Sequence, residues 1–402
     1  MRVLEINSVC GTGSTGRIAC QVADVVVQNG GEATVAYGRA YYEKGCNVPT
    51  YIIGSDTGVN IHAGLSRITD RQGFYSKGAT RKLVEFIEDY NPDVIHLHNI
   101  HGYYLHLPTL FNFLALYDKP VVWTLHDCWA FTGHCAHFDY IGCDKWKTGC
   151  YQCPQKRKYP ASFVLDQSRR NWIEKKELFT SIRDMTIVTP SQWLADLVKE
   201  SFLQKYPVKV IHNGIDLSVF KPTPSTWKED HGINKPIVMA CAAVWDQRKG
   251  FKDVLKIADL LPEYQIVIVG ISKNQADSLP EDIIGIQRTE SVNELVQIYS
   301  AADVFINPTY EDNFPTTNLE ALACGTPVVT YRSGGSPECI DESSGIVVTK
   351  GNINELAEEI KITIKKSRIS FLSCVQRASE FNKDHKFLEY VTTLKSISKR
   401  EC

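Results

Sequence analysis

The sequence predicts an α/β protein of two domains, each a parallel sheet covered on both faces by helices. Three features carry that prediction. The chain has 402 residues, more than one ordinary core fills and about right for two. Short apolar runs alternate with amphipathic stretches, the pattern of strand–helix–strand units. That rhythm stops near the middle of the chain and then restarts.

Taken in order, strands are expected at Val3–Asn7, Ala33–Tyr37, Val94–His98, Val121–Leu125 and Thr186–Thr189. Helical periodicity lies between them at Arg17–Gln28, Ala79–Tyr90 and Gln192–Phe202. The second series has strands at Ile237–Cys241, Gln265–Val269, Ile283–Gln287, Asp303–Asn307 and Pro327–Thr330. Its helices read as Phe251–Leu261, Val292–Ala301 and Thr317–Cys324. The break falls near His212–Pro224, where IHNGIDLSVFKPTPS holds a glycine and two prolines. The expected domains are therefore 1–213, with a cysteine-rich insertion at about 128–165, and 214–380. The chain from about Ser370 reads as polar helix, and its end, 381–402, is expected to cross back to the first domain.

Hydrophobic residues make up 43% and charged residues 22%, ordinary for a globular protein. A formal charge of -2 argues against nucleic acid as a partner, so any anion site must be local. No apolar run approaches the ~20 residues that span a bilayer. The start, MRVLEINSVCGTG, reads as a strand entering a turn rather than a signal peptide. A cytoplasmic location is expected, with the 13 cysteines reduced.

Gly11-Thr-Gly13-Ser-Thr-Gly16 fits G-x-G-x-x-G, follows a strand and opens a helix. Gly13 and Gly16 would let a phosphate approach the helix N–H groups. Alone, this loop suggests an NAD(P)-dependent oxidoreductase. That chemistry needs an acid at the end of the second strand to hold a ribose. Here ATVAYG runs into Arg39. The loop is read instead as lining a ligand cleft, near donor phosphates or acceptor, with a tight packing turn as the plain alternative.

The richest segment is NPTYEDNFPTTNLEALACGTPVVTYRSGGSPE, Asn307–Glu338. A strand ends near Asn307, a loop carries Glu311 and Asp312, and Pro315 precedes a helix that includes Glu320. Carboxyl ends of parallel strands are where open α/β sheets bind ligands. The helix start offers N–H groups and a positive dipole end to a diphosphate. A carboxylate at Glu320 suits two ribose hydroxyls.

This segment resembles the signature of family four of the retaining glycosyltransferases. The resemblance implies the GT-B fold, two Rossmann-like β/α/β domains facing across a cleft. Its residues are Asp312, seven residues, Glu320, then Ala321-Leu-Ala-Cys-Gly325-Thr-Pro327-Val-Val and Gly334-Gly335-Ser-Pro337-Glu338. The first acid is usually Glu, so Glu311 and Asp312 are both candidates for the donor sugar. Asn313, Phe314, Pro315, Thr316 and Thr317 inherit contacts to sugar hydroxyls and phosphate, Pro315 without an N–H. The family's Lys-Gly pair is Lys249-Gly250. Val244 stands where its usual arginine lies, and Arg248 is taken as the substitute. The two cations would offset charge on the leaving group.

In the first domain, WTLHDCW places His126 and Asp127 beyond a strand end. The resemblance implies that His126 approaches the transferred sugar. For His96, His98, Asn99 and His101, in VIHLHNIHGYY, a structural role is the stronger expectation, with His98 or His101 as possible acceptor contacts. Cys135, Cys143, Cys150 and Cys153 have seven, six and two intervening residues. Four thiolates suit a structural tetrahedral zinc, with His134 and His137 as substitutes, against packing cysteines or a redox dithiol. The insertion HDCWAFTGHC…GC…WKTGC…CP resembles bacterial colanic acid, capsular and exopolysaccharide enzymes. That implies a saccharide or polyprenyl-diphosphate-linked oligosaccharide acceptor.

The expected reaction is retaining hexosyl transfer from a nucleotide diphosphate sugar, UDP before GDP on family frequency. His126, Lys249, Asp312 and Glu320 form the expected catalytic set. No D-x-D motif occurs, so no catalytic metal is expected. An inactive sugar-nucleotide-binding protein is the remaining alternative. Arg67, Arg71, Lys77, Arg81 and Lys82 surround Phe74 and Tyr75, and Lys156, Arg157 and Lys158 precede Phe163. Basic residues mixed with aromatics suit peripheral contact with the inner face of a cytoplasmic membrane.

Overall fold

A computed structural model describes residues 1–40, 45–366 and 369–399. The chain forms two compact units, Met1–Ile211 with the segment from Phe387 onward, and His212–Lys386. Each is a parallel, doubly wound sheet.

Among the described residues, the first unit has seven strands: β1 (Arg2–Asn7), β2 (Glu32–Tyr37), β3 (Thr50–Ile52), β4 (Val94–Leu97), β5 (Val121–Thr124), β6 (Met185–Thr189) and β7 (Val208–Val210). Their order is β3-β2-β1-β4-β5-β6-β7. The second has six: β8 (Ile237–Cys241), β9 (Gln265–Val269), β10 (Ile283–Ile286), β11 (Val304–Asn307), β12 (Val328–Tyr331) and β13 (Gly345–Val348), ordered β10-β9-β8-β11-β12-β13. Central strands such as VVWT and VFIN are buried along their whole length, which is why they read as unbroken apolar runs.

The expected strands all form. The structure adds β3, β7 and β13, which have three or four residues each and are too short to show a period. It also adds helices at Asp56–Thr69, Leu107–Leu116, Ser168–Phe179 and Ile353–Lys366. Leu107–Leu116 is apolar nearly all round, so no polar face marks its turns. Ser168–Phe179 is polar outside but buries Asn171, Trp172 and Lys175.

The polar stretch from Ser370 is two helices, Phe371–Ser379 and Lys383–Ser398. Serines and lysines hide the apolar stripe of the second. It buries Phe387, Tyr390, Val391, Leu394 and Ile397 in one cluster with Val3, Val35, Val94 and Val122. Leu394 is fully buried. Leu394→Ala should therefore lower unfolding free energy by about 2–5 kcal/mol, read by urea denaturation. A loss under about 0.5 kcal/mol, the size of a surface change, would contradict this packing.

Candidate functional site

In the second unit the strand order reverses between β8 and β11, which opens a crevice beyond their carboxyl ends. The loops leaving these strands lie against each other. Gly250 has φ +77°, and a Cβ there would fall 2.1 Å from the Pro308 carbonyl oxygen. Only glycine allows that approach. The Tyr310 N–H donates to the Arg248 carbonyl at 2.7 Å, and Arg248 Nη1 donates to the Glu311 carbonyl at 2.9 Å. Lys249 forms an ion pair with Asp312. Beneath them, buried Asp253 accepts from the Tyr310 and Tyr331 hydroxyls, both at 2.8 Å.

The helix Thr316–Ala323 starts after Pro315 with no side-chain cap, which leaves its first-turn N–H groups and dipole end for a ligand. A buried polar knot fixes that start. Asn307 Nδ2 donates to Asn318 Oδ1 at 2.8 Å, and Asn318 Nδ2 donates to Ser336 Oγ at 3.0 Å. The Ser336 and Thr330 hydroxyls are 2.7 Å apart, and Thr330 donates to the Asn307 carbonyl at 2.8 Å. The Gly334-Gly335 turn closes on the acidic loop, with the Gly335 N–H on the Asp312 carbonyl at 3.0 Å.

Of the two adjacent acids, Glu311 is fully buried and Asp312 is partly exposed and meets the lysine. Glu320 is partly exposed and accepts from the Tyr299 hydroxyl at 3.0 Å. The Lys249–Asp312 and Glu320–Tyr299 contacts are separate. Asn313, Phe314 and Pro315 are buried, with Phe314 stacked on His212 at 4.8 Å, while Thr316 and Thr317 are partly exposed. Val244 is 70% exposed.

In the first unit the reversal lies between β1 and β4. Gly11 and Gly13 adopt φ +63° and +64°. The Gly11 N–H closes the turn on the Gly16 carbonyl at 3.2 Å, and a Cβ on Gly16 would crowd Val9 at 3.0 Å. Gly13 has open space on its Cβ side. Arg39 donates to the Gly102 carbonyl at 3.2 Å.

Beside this loop, a carboxylate–histidine chain runs outward from the sheet. Glu5 Oε2 lies 2.7 Å from His98 Nε2, and His98 Nδ1 lies 3.0 Å from His126 Nε2. Glu5 and His98 are fully buried. His96 Nδ1 is 2.8 Å from the same carboxylate, close enough for charge but off a hydrogen-bond line. Burial opposes ionisation of Glu5, yet His96 and His98 outweigh it and lower its pKa. Burial, then His96, lowers His98 to about 4 against the pull of Glu5. His126 is lowered well below its ordinary value, by burial and then by His98. With Glu5 ionised and both imidazoles neutral, His98 must donate from Nε2 and accept at Nδ1. His126 then donates from Nε2, which leaves Nδ1 unprotonated.

His101 instead pairs with Asp127 at 2.8 Å. Burial opposes that carboxylate, but His101 brings its pKa down to about 2. Glu5 escaped notice in the sequence. Its signal was an acid in the middle of the apolar strand RVLEIN, a position that burial makes costly without partners.

The four cysteines of the zinc expectation lie near one another. Cys135, Cys143, Cys150 and Cys153 line one small cavity, but no three of their sulfurs lie within 4.8 Å of one another. Cys150 Sγ accepts from the Gly133 N–H at 3.1 Å. Aromatic packing holds the insertion: Trp146 is 2% exposed and sits 5.2 Å from Phe131 and 4.9 Å from Phe138. Phe131, Cys135, Phe138, Trp146 and Cys150 belong to the main apolar cluster of the first unit.

Comparisons with known proteins agree with this architecture. A family model described as Glycosyltransferase Family 4 matches residues 16–219, half of the chain. One described as Glycosyl transferases group 1 matches 225–381. Both units thus match glycosyltransferases, which replaces the dinucleotide reading of the first loop. The colanic acid biosynthesis glycosyl transferase WcaC of Escherichia coli is 28% identical over 278 residues, 66% of each chain. A D-inositol 3-phosphate glycosyltransferase of Corynebacterium jeikeium is 29% identical over 201 residues, 44% of this chain and 48% of that one. Sucrose-phosphate synthase from Thermosynechococcus elongatus superposes with a TM-score of 0.72 at 17% identity, covering 98% of both chains. Anabaena HepE in complex with UDP-glucose gives 0.68 at 17% identity, covering 98% of this chain and 100% of that one. The shared fold is GT-B.

The buried histidines make stability depend on pH. Burial, then His106, lowers His62 to about 3, and His98 lies at about 4. Unfolded histidines titrate near 6.5. As pH falls from about 6.5 toward 4, the unfolded chain binds protons that the folded one does not, so stability falls. Each pH unit in that window costs up to about 1.4 kcal/mol per histidine. The melting midpoint should be lower at pH 5 than at pH 7, and His62→Gln should shrink the difference. An equal or higher midpoint at pH 5 would contradict the assignment.

Proposed function

This chain belongs to glycosyltransferase family 4, and from that premise we propose that it moves a hexose from a UDP-sugar to a saccharide or polyprenyl-diphosphate-linked acceptor, with retention at the anomeric carbon. The carrying observation is the junction of the Lys249-Gly250 and Glu311–Glu320 loops beyond β8 and β11. A lysine, an uncapped helix start and a second-turn carboxylate all belong to that strand end. The Anabaena relative holds UDP-glucose, which supports a uridine donor. WcaC supports a surface-polysaccharide acceptor.

In this mechanism Lys249 exchanges Asp312 for a phosphate oxygen, and Arg248 and the N–H groups of Thr316 and Thr317 share the diphosphate. Glu320 accepts from the ribose hydroxyls. Asp312, released from the lysine, accepts from a sugar hydroxyl. The bond from the anomeric carbon to phosphate oxygen breaks through an oxocarbenium-like state. The acceptor oxygen bonds to the anomeric carbon on the face the diphosphate leaves, and the diphosphate takes the acceptor proton there, which gives retention without a protein nucleophile.

Lys249→Ala should leave melting unchanged and lower kcat on the order of a hundredfold, or about 3 kcal/mol. Glu320→Gln should chiefly raise the donor KM. Near-normal turnover in Lys249→Ala together with an unchanged donor KM in Glu320→Gln would remove the assignment.

A surface on the first unit supports approach to a membrane. Ile61, Leu65 and Ile68 lie along the outer face of the helix Asp56–Thr69 and are 39% to 59% exposed. Phe163, Val164 and Leu165 extend them, 44% to 60% exposed. The Phe163 N–H donates to the Arg67 carbonyl at 2.7 Å and the Leu165 N–H to that of Ile68 at 3.0 Å. Arg67, Lys77, Arg81, Lys82, Arg157 and Lys158 are exposed. Arg71 is not available to lipid: it bonds Asn171 at 2.8 Å, pairs with Glu174 and stacks on Phe74. A mostly apolar pocket of about 500 Å³, lined by Ile61, Leu65, Phe74 and Tyr75, opens beside the patch and suits part of a prenyl chain. Among the described residues, no helix is long and apolar enough to cross a membrane. Binding to anionic vesicles should weaken with salt, and Leu65→Ser with Phe163→Ser should abolish it. Sedimentation that is equal for wild type and double variant would exclude this surface.

A further inference from the structure

Three cysteines meet in the first unit although their positions form no recognisable ligand spacing. Cys10 follows β1, Cys20 lies on the helix Gly13–Gln28, and Cys46 lies in the connection from β2 to β3. Cys10 Sγ and Cys20 Sγ are 3.4 Å apart. All three sulfurs lie within 4.8 Å of one another. Thiolates arranged tetrahedrally at about 2.3 Å from a metal sit roughly 3.8 Å apart, a spacing these distances bracket.

The surroundings suit a soft ion. Cys10 and Cys20 are 0% and 4% exposed and share a cluster with Val22, Tyr37 and Val48. Such a shell excludes water from the sulfurs and strengthens metal–thiolate bonds. Cys46 is partly exposed and provides the side from which an ion enters. The gathered donor set is all sulfur, which disfavours Mg²⁺ and Ca²⁺ and favours thiophilic ions.

We propose that Cys10, Cys20 and Cys46 form a three-sulfur site for a thiophilic closed-shell cation, the class that includes Cu⁺ and Zn²⁺. Each thiol that binds releases its proton to solvent and forms one sulfur–metal bond, with no change of oxidation state. Cys10 directly precedes Gly11, so an occupied site ties the start of the Gly-rich loop to its own helix and to the β2–β3 connection. The site is independent of the donor chemistry assigned to the second unit.

The test uses the full-length chain, reduced and handled without oxygen. It is titrated separately with Zn²⁺ and with Cu⁺ against a competing chelator, and Co²⁺ serves as a spectroscopic probe. One equivalent should bind, Co²⁺ should show thiolate charge-transfer absorption, and the partly exposed Cys46 thiol should lose its reactivity toward a disulfide reagent after loading. The ion kept against the chelator identifies the member of the class. Cys46→Ser, at the exposed edge and least disruptive to folding, should weaken binding on the order of a hundredfold or more. Cys143→Ser should leave it unchanged. Absence of stoichiometric binding by either ion, or binding lost in Cys143→Ser but kept in Cys46→Ser, would overturn the proposal.

Discussion

A buried hydrogen-bonded knot at the end of β11 governs the second unit. Asn307, Asn318, Thr330 and Ser336 come from a strand, a helix, the next strand and the following turn. Breaking one bond would strand a polar group in the interior at about 1–3 kcal/mol. The four elements therefore move together or not at all. The start of the helix Thr316–Ala323 and the turn under Asp312 inherit that rigidity. Glycine supplies the rest: at 250 and 334 a side chain would collide with the backbone of the neighbouring loop. The proposed recognition of a diphosphate depends on this stiffness, because dipoles aimed in advance lose nothing to reorganisation when charge develops.

The first unit solves a related problem with charge. Glu5 lies in the middle of a central strand, where an isolated carboxylate would be prohibitive. Two imidazoles hold it ionised, and the resulting chain dictates which nitrogen of His126 carries a proton. A group two strands away thus sets the chemistry of a histidine at the sheet's edge. Tyr390, from the last helix, packs its ring 5.8 Å from His96, so the end of the chain also shapes this environment.

Much of the fold was legible because parallel strands buried on both faces are continuous apolar runs. The edge strands at Thr50, Val208 and Gly345 were not, since three or four residues carry no period. The last helix looked polar because Lys, Ser and Thr interleave with the residues it buries. In the site, the motif from Asp312 to Glu320 was visible as spacing, but which of Glu311 and Asp312 is buried and which meets Lys249 was not. Cysteine spacing carried only part of the information. Among Cys135, Cys143, Cys150 and Cys153 no three sulfurs lie within 4.8 Å of one another, while Cys10, Cys20 and Cys46, which share no spacing pattern, are brought together by the winding of the sheet. Glu5 was visible as a letter, but its partners, 91 and 93 residues further on, were not.

Amide hydrogen exchange with and without UDP tests the central claim most directly. If the crevice of the second unit holds the nucleotide diphosphate, UDP will slow exchange at the amides of Lys249–Gly250 and Thr316–Asn318. The loop Gly11–Gly16 will change less. Protection confined to the Gly11–Gly16 loop, or absent from both segments at saturating UDP, would contradict the account.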